Sequence, residues 1–217
     1  MTPNDIIVEA KRLAQDNELF RNSDTYSAAT MLGFVNQILR QTSVLRPDLF
    51  TRIADIATTP NVVEQSMPTD SIRLVNILGV KNGGAITEVS REMLDRSYPQ
   101  WRTDPAGPPI NYMRHVVNPN RYFLYPRPAA NTVLTGEYAQ SPPAYTLNQT
   151  IALLPDAFQA AMVAGVVMLI AGIENKSQVN ARFTQFQEVY SQTLGVNLQS
   201  RTITDTRAAG IEPNQVI

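Results

Sequence analysis

The sequence predicts an α+β fold: an α-helical bundle drawn from the N- and C-terminal helices, a small antiparallel β-sheet inserted between them, and an extended C-terminal tail. Three observations carry this expectation. Apolar residues recur at three- and four-residue steps up to about residue 60 and again from residue 155, but in short alternating runs between. Ten of the 15 prolines fall from Pro99 to Pro155, which suits strands and loops and excludes long helices there. Beyond residue 196 neither a period nor apolar mass remains. The chain therefore divides into residues 1–60 (N-terminal helices of the bundle), 61–154 (strand and loop region), 155–196 (C-terminal helices of the bundle) and 197–217 (tail).

Thr2 followed by Pro3 reads as an N-cap with proline at the first helical position, and Ile6, Ala10, Leu13 and Ala14 form one stripe of a helix running to about Asp16. Ser23 can cap a second helix in which Met31, Leu32, Val35, Ile38, Leu39 and Leu45 recur until Pro47. Pro47 opens an expected third helix carrying Leu49, Phe50, Ile53 and Ile56 and stopping before Pro60. A hairpin of Ser71–Val80 with Ala85–Val89 is expected around Asn82-Gly83-Gly84, which supplies the residues of a tight turn. Ser90 caps a brief helix through Leu94, and Trp101 leads into the proline-rich loop Asp104–Pro109. Strands follow at Arg121–Tyr125 and Thr132–Ala139, separated by Pro126-Arg127-Pro128 and a turn at Asn131. Pro155-Asp156 starts an apolar helix to Gly172, and Ser177 starts another, with Val179, Phe183, Phe186 and Tyr190 on one stripe and Gly195 at its end. The bundle core should hold Leu32, Val35, Leu39, Val163, Val167, Ile170, Phe183 and Phe186.

Composition narrows the function. The 217 residues can bury a hydrophobic core without staples. Zero cysteines exclude disulfides, thiolate metal sites and cysteine nucleophiles, and the single histidine, His115, excludes any two-histidine site. Eighteen basic against 19 acidic residues leave a net charge of -1, so no bulk field attracts nucleic acid or an anionic membrane. Only 17% of residues are charged and only Lys11, Lys81 and Lys176 are lysine; interfaces favour arginine over lysine, which hints at assembly. The apolar run Ala160–Ile173 is too short for a bilayer, and Met1–Phe20 carries no leader-like apolar block, so a soluble intracellular product is expected.

No cofactor fingerprint emerges, because Gly83-Gly84 lies between strands and opens no helix. His115 beside Arg114 is the one candidate general base, and a metal-independent enzyme built around it is the alternative reading of the chain; no nucleophile-elbow serine accompanies it. Asp5 with Glu9, and Glu92 with Asp95, have carboxylate spacing that a solvated helix start explains. Tyr122, Phe123 and Tyr125 resemble a base-stacking platform, but consecutive strand residues face opposite ways, so packing on both faces of a sheet is the better account. Pro142-Pro143-Ala144-Tyr145 has the form of a WW-domain ligand and Asn148-Gln149-Thr150 that of a sequon, neither specific.

The order of elements resembles the head-to-tail adaptor proteins that form a ring beneath the portal of short-tailed bacteriophages. The residues that carry the resemblance are Pro68-Thr69-Asp70-Ser71-Ile72-Arg73-Leu74-Val75, then Asn120-Arg121-Tyr122-Phe123-Leu124-Tyr125-Pro126-Arg127-Pro128, then Gly136-Glu137-Tyr138-Ala139-Gln140-Ser141-Pro142, ahead of the helix start Leu154-Pro155-Asp156-Ala157-Phe158. The resemblance implies a non-enzymatic virion component at the head–tail junction, assembled in the host cytoplasm, without cofactor, metal or membrane. It implies a homo-oligomeric ring, usually a dodecamer, bound to the portal protein and to tail or nozzle proteins. Genome DNA would pass through its channel during ejection without sequence-specific binding. The tail is the expected docking element toward the portal or a neighbouring subunit: Arg201 and Arg207 can take carboxylates bidentately, and Ile203, Ile211 and Ile217 offer apolar points along an extended chain.

Overall fold

The computed structural model describes residues 1–15, 27–174 and 177–196. The cap expected at Ser23 and the whole tail, with Arg201, Ile203, Arg207, Ile211 and Ile217, lie outside the described residues. The fold is α+β, with helices α1 (Pro3–Gln15), α2 (Ala28–Leu45), α3 (Arg91–Ser97), α4 (Gln159–Glu174) and α5 (Ser177–Thr193). Its strands are β1 (Thr51–Ala57), β2 (Glu64–Ser66), β3 (Ser71–Val80), β4 (Thr87–Glu88), β5 (Asn111–Arg114), β6 (Arg121–Tyr125) and β7 (Val133–Gln140). The chain forms two compact units, one of residues 1–39 and 144–217 and one of residues 40–143.

In the helical unit, α1 starts with a reciprocal cap: Asp5 N–H donates to Thr2 Oγ1 at 3.2 Å and Thr2 N–H donates to Asp5 Oδ2 at 2.7 Å. The described start of α2 is capped by Ser27, whose Oγ accepts from Thr30 N–H at 3.2 Å. α4 is apolar on every side, and seven consecutive residues, Ala161 to Val167, are buried in it. It packs against α1 and α5. Gly165 is where it is approached most closely: a Cβ there would lie 3.0 Å from Ile38 of α2 and 3.2 Å from the Tyr190 ring of α5. α5 ends in a Schellman motif, with Gly195 N–H on Gln192 C=O at 3.0 Å and Val196 N–H on Ser191 C=O at 2.9 Å. Of the expected core, Val35, Leu39, Val163, Val167 and Ile170 are buried, while Leu32, Phe183 and Phe186 are half-buried.

One buried side chain organises the segment that enters α4. Asn36 of α2 presents its amide edge to the main chain of Tyr145, accepting from Tyr145 N–H at 2.8 Å and donating to Tyr145 C=O at 3.1 Å. Both groups are out of water, so the pair substitutes for a strand partner that this stretch lacks.

In the second unit, β1, β7 and β3 form an antiparallel three-stranded sheet with β7 in the centre, and β2, β6, β5 and β4 form a four-stranded one. Ile56, Leu74, Ile77, Leu134 and Tyr138 of the first sheet share one core with Tyr112, Tyr122 and Leu124 of the second. Gly136 of β7 makes the centre possible: a Cβ there would fall 2.4 Å from Ile56 Cδ1 and 3.2 Å from Ile77 Cδ1. The outer face of the four-stranded sheet is also covered. Met113 and Trp101 are fully buried, Trp101 meets Tyr125 edge-on at 6.2 Å, and the Arg91 guanidinium of α3 lies 5.7 Å over Phe123. Tyr122, Phe123 and Tyr125 thus serve two packed faces.

Three expectations are corrected. The helix expected after Pro47 is a single 3-10 turn, Pro47–Phe50, followed by β1. Ile53 and Ile56 would share a helix face, but three residues apart on a strand they point oppositely: Ile56 is 1% exposed and Ile53 64%. The long-range partner β7 decided this, since β1 pairs with it along its whole length. The hairpin with Ala85–Val89 is reduced to one bridge, Gly79 with Ala85. The Asn82-Gly83-Gly84 turn does form, with Val80 N–H on Gly84 C=O at 3.0 Å, but β4 leaves to pair with β5 in parallel. The inserted region consequently holds two sheets where one antiparallel sheet was expected; the short strand β2 went unread, and β5 ends in the stretch around His115 that reads as loop or edge strand.

Asn36→Ala should cost about 2–4 kcal/mol in urea unfolding, because it strands two buried main-chain groups at roughly 1–3 kcal/mol each. Gln37→Ala, on the exposed side of the same helix turn, should change stability by no more than about 0.5 kcal/mol.

Candidate interaction surface

Most charged side chains of the second unit are committed to internal ties. Arg114 of β5 donates from Nε to Glu88 Oε1 at 2.7 Å and reaches the main chain of β3, with Nη1 3.0 Å from Leu74 C=O and Nη2 on Val75 C=O. The Tyr112 hydroxyl lies 2.7 Å from Glu88 Oε2 and 2.9 Å from Asn76 Oδ1. This cluster ties the two sheets together. The Arg114 hydrogen bond, helped by Tyr112, holds the Glu88 carboxyl below its ordinary range against the opposing effect of burial. Burial first, then the Glu88 hydrogen bond, pushes the Tyr112 hydroxyl up to about 12. Burial alone raises the Tyr122 hydroxyl.

Two other carboxylates act as hubs. Asp104 accepts from Tyr98 at 2.8 Å and Tyr125 at 2.9 Å, while its carbonyl accepts from Arg127 Nε at 2.9 Å. Asp70 accepts from Arg52 at 3.1 Å and Tyr138 at 3.3 Å. Asp95 of the Glu92/Asp95 pair accepts from Trp101 Nε1 at 2.8 Å and pairs with Arg102 at 2.9 Å. In the Asp5/Glu9 pair, Asp5 is a cap and Glu9 is bound by Arg12 at 2.6 Å. Among the described residues no group of three or more His, Asp or Glu side chains is placed to hold a metal ion.

His115 closes the β5–β6 loop. Its Nδ1 accepts from Val117 N–H at 3.2 Å and Asn118 N–H at 3.0 Å, its ring stacks on Phe123 at 5.5 Å, and Nε2 faces Glu64 at 4.0 Å. With Nδ1 accepting twice, the ring proton resides on Nε2, so the lone pair a general base needs is already occupied. Asn118 completes the loop by accepting from Asn120 N–H on its side chain at 3.0 Å and from Arg121 N–H on its carbonyl at 3.1 Å. The result is a stiff turn whose tip presents Val116 and Val117, 87% and 85% exposed.

The helical unit carries a concave feature of its own. α1, α4 and α5 border a groove of about 520 Å³ lined by Leu13, Ala160, Ala164, Phe186 and Val189, with Glu9, bound by Arg12, and Asp156, bound by the Met1 ammonium, also in its lining. The sequence alone singled out neither surface. The stretch around His115 reads as loop or edge strand, and the tertiary fold places Val116-Val117 at a loop tip. The Pro142–Tyr145 motif is not offered as a ligand, because Tyr145 is buried and its main chain is held by Asn36.

Charged groups turned into internal ties, apolar side chains carried outward on a stiff loop, and an open groove between helices describe a structural subunit that works through protein contacts. The chain matches the family model described as SU10 adaptor protein over residues 1–213, and it belongs to that family. It is a phage adaptor protein, a structural component of the virion, and the resemblance drawn from its strand motifs is borne out at that level. Membership implies association with phage portal and tail proteins. No curated protein matches the chain at a significant level. No helix of the described residues is long and apolar enough to cross a membrane.

Two outcomes are expected. Because the Glu88 carboxyl is lowered on folding, its contribution is complete above its unfolded value near 4.5 and is lost as pH falls through the folded value. Glu88→Gln should therefore cost about 1 kcal/mol at pH 7, the upper range for a half-exposed pair, and progressively less as pH falls below 4.5 through the folded value, read from unfolding midpoints across pH. His115→Ala should leave the fold intact while the Val117 and Asn118 amides lose hydrogen-exchange protection; unchanged protection would remove the loop-closing role.

Proposed function

We propose that this adaptor forms a ring, twelve copies in the reading we favour, that joins the portal to the tail at the head–tail junction and encloses the DNA exit channel. The observation that carries the proposal is the extent of the family match, which runs to residue 213 and so takes in most of the tail as well as both folded units. Assembly takes place in the host cytoplasm. Genome DNA passes without sequence-specific binding, in keeping with a net charge of -1. The subunit acts without catalysis; the occupied Nδ1 of His115 speaks against an enzyme built around that residue.

Docking on the portal is assigned to the tail, with Arg201 and Arg207 as carboxylate anchors and Ile203, Ile211 and Ile217 as apolar points. A segment so poor in apolar residues has little to add to the subunit core and is free in sequence terms to serve a partner. Free subunits do not close the ring by themselves; the portal raises their local concentration until weak neighbour contacts suffice.

Truncation after Leu198 should leave the thermal midpoint of the free subunit within about 2 °C, since the residues removed bring little apolar mass to a core. The same truncation should abolish decoration of portal rings seen by negative-stain microscopy. Wild-type occupancy by the truncated protein would move docking to the helical or sheet surfaces.

A further inference from the structure

One strand of the sheet unit turns a row of main-chain hydrogen-bonding groups toward open space. In the three-stranded sheet β7 lies in the centre, and β1 and β3 form the edges. The β3 edge is covered: Leu74 N–H donates to Pro119 C=O at 3.2 Å, Ile86 N–H donates to Leu78 C=O at 3.3 Å, and Arg114 takes the Leu74 and Val75 carbonyls. The β1 edge is open. Thr58 N–H donates to Thr132 C=O at 3.4 Å directly opposite it, continuing the β1–β7 register. Bonded pairs alternate along an antiparallel ladder, so Arg52, Ala54 and Ile56 bond toward β7, while Thr51, Ile53, Asp55 and Ala57 turn their N–H and C=O groups outward. Among the described residues no main-chain group meets them. β1 runs beside β7 without a register shift and contains no proline, and its two charges, Arg52 and Asp55, are tied to Asp70 and Lys81. Nothing of the usual kind therefore closes this edge to a further strand.

We propose that the tail of a neighbouring copy adds to the β1 edge as a strand, a contact that rests on reading the protein as a ring subunit. The occupant follows from main-chain chemistry and length. The chain continues through residues 197–217 beyond the described end of α5, and there Thr202, Ile203, Thr204 and Thr206 form a β-branched run with no glycine or proline before Gly210. Every residue of the run can both donate and accept. Antiparallel pairing with Ile203 opposite Ile53 lays residues 199–205 along the whole of β1 and gives Ile53, 64% exposed, an apolar neighbour. Parallel pairing at the same point would set Asp205 beside Asp55, like charge against like. Pairing of β1 with β1 of a second copy would run about a two-fold axis and stop at a dimer, whereas a tail on an edge is heterologous and repeats around a ring. Strand addition draws its affinity from the main chain, so the side chains of Arg201 and Arg207 stay available to the portal.

The absence of cysteine makes each introduced thiol a report on one place. Ile53→Cys and Ile203→Cys, prepared separately, mixed at high protein concentration and oxidised, should give a cross-linked heterodimer. The double variant should give a ladder of oligomers on non-reducing gels. Thr204→Cys should link to Ile53→Cys about tenfold more slowly, because neighbouring strand residues point to opposite faces. Asp55→Cys with Arg201→Cys, the next pair in the register with side chains on that face, should also link. Adding Ile203→Pro, which removes an N–H aimed at the edge, should slow that second link about tenfold. The proposal is overturned if Thr204→Cys links as readily as Ile203→Cys, if Ile53→Cys links only to itself, if the double variant closes the bond within one chain and gives no ladder, or if Ile203→Pro has no effect. The two readings fail separately. Portal rings left bare by the wild-type protein would count against the portal-docking role, whereas decoration by a double variant that gives no ladder would count against this contact alone.

Discussion

Everything in the helical unit follows from the need to hide α4. A helix whose residues 160–173 are apolar on every side cannot lie on a surface, and each of its Val, Ile or Met side chains gains about 1.5–3 kcal/mol by leaving water. It must therefore be surrounded, and α1, α2 and α5 are the elements available. Gly165 lets that happen at close range, by admitting Ile38 and the Tyr190 ring against the backbone of α4. Enclosure opens at the start of the helix, where Ala160 is exposed beside the groove that Leu13 and Phe186 also line. The Asn36 clamp on Tyr145 belongs to the same demand, since the chain must enter α4 through buried ground without losing its main-chain hydrogen bonds.

The sheet unit solves a different problem, two small sheets too narrow to be stable separately. A common core of aromatic and branched side chains joins them, and Gly136 removes the one Cβ that would hold Ile56 and Ile77 apart. Polar ties then fix their register. Arg114 spans from one sheet to main-chain carbonyls of the other, and Arg127 does the same for the Asp104 loop. Lysine, a point charge without a planar fork, could not make these multiple bonds. The excess of arginine over lysine, which composition alone attributes to interfaces, is in part consumed inside the subunit.

This division of labour shapes what the surface has to offer a partner. With most carboxylates and guanidinium groups of the sheet unit tied to one another, the exposed Val116-Val117 tip stands out as apolar surface. His115, which sequence reasoning weighed as a catalytic base, turns out to position a loop. Its chemistry is that of a hydrogen-bond acceptor for Val117 and Asn118, and the residues it displays are the most exposed large apolar side chains of the described chain.

The helices were legible along the chain, because α1, α2, α4 and α5 announce themselves through spacing, proline starts and a glycine stop that depend on neighbours only a few residues away. So were the strands around the motifs Asn120–Pro128 and Gly136–Pro142, whose packing residues carried the family resemblance. That Thr51–Ala57 is a strand came from long-range pairing, since Ile53 and Ile56 fit a helical step equally well and β7, some eighty residues on, chose between them. The same holds for the exchange of β4 from the hairpin to β5, for the exposed valine pair and for the groove. Each of these depends on pairings between distant segments, and a period read along the chain reports the face a residue prefers without naming the partner that will meet it.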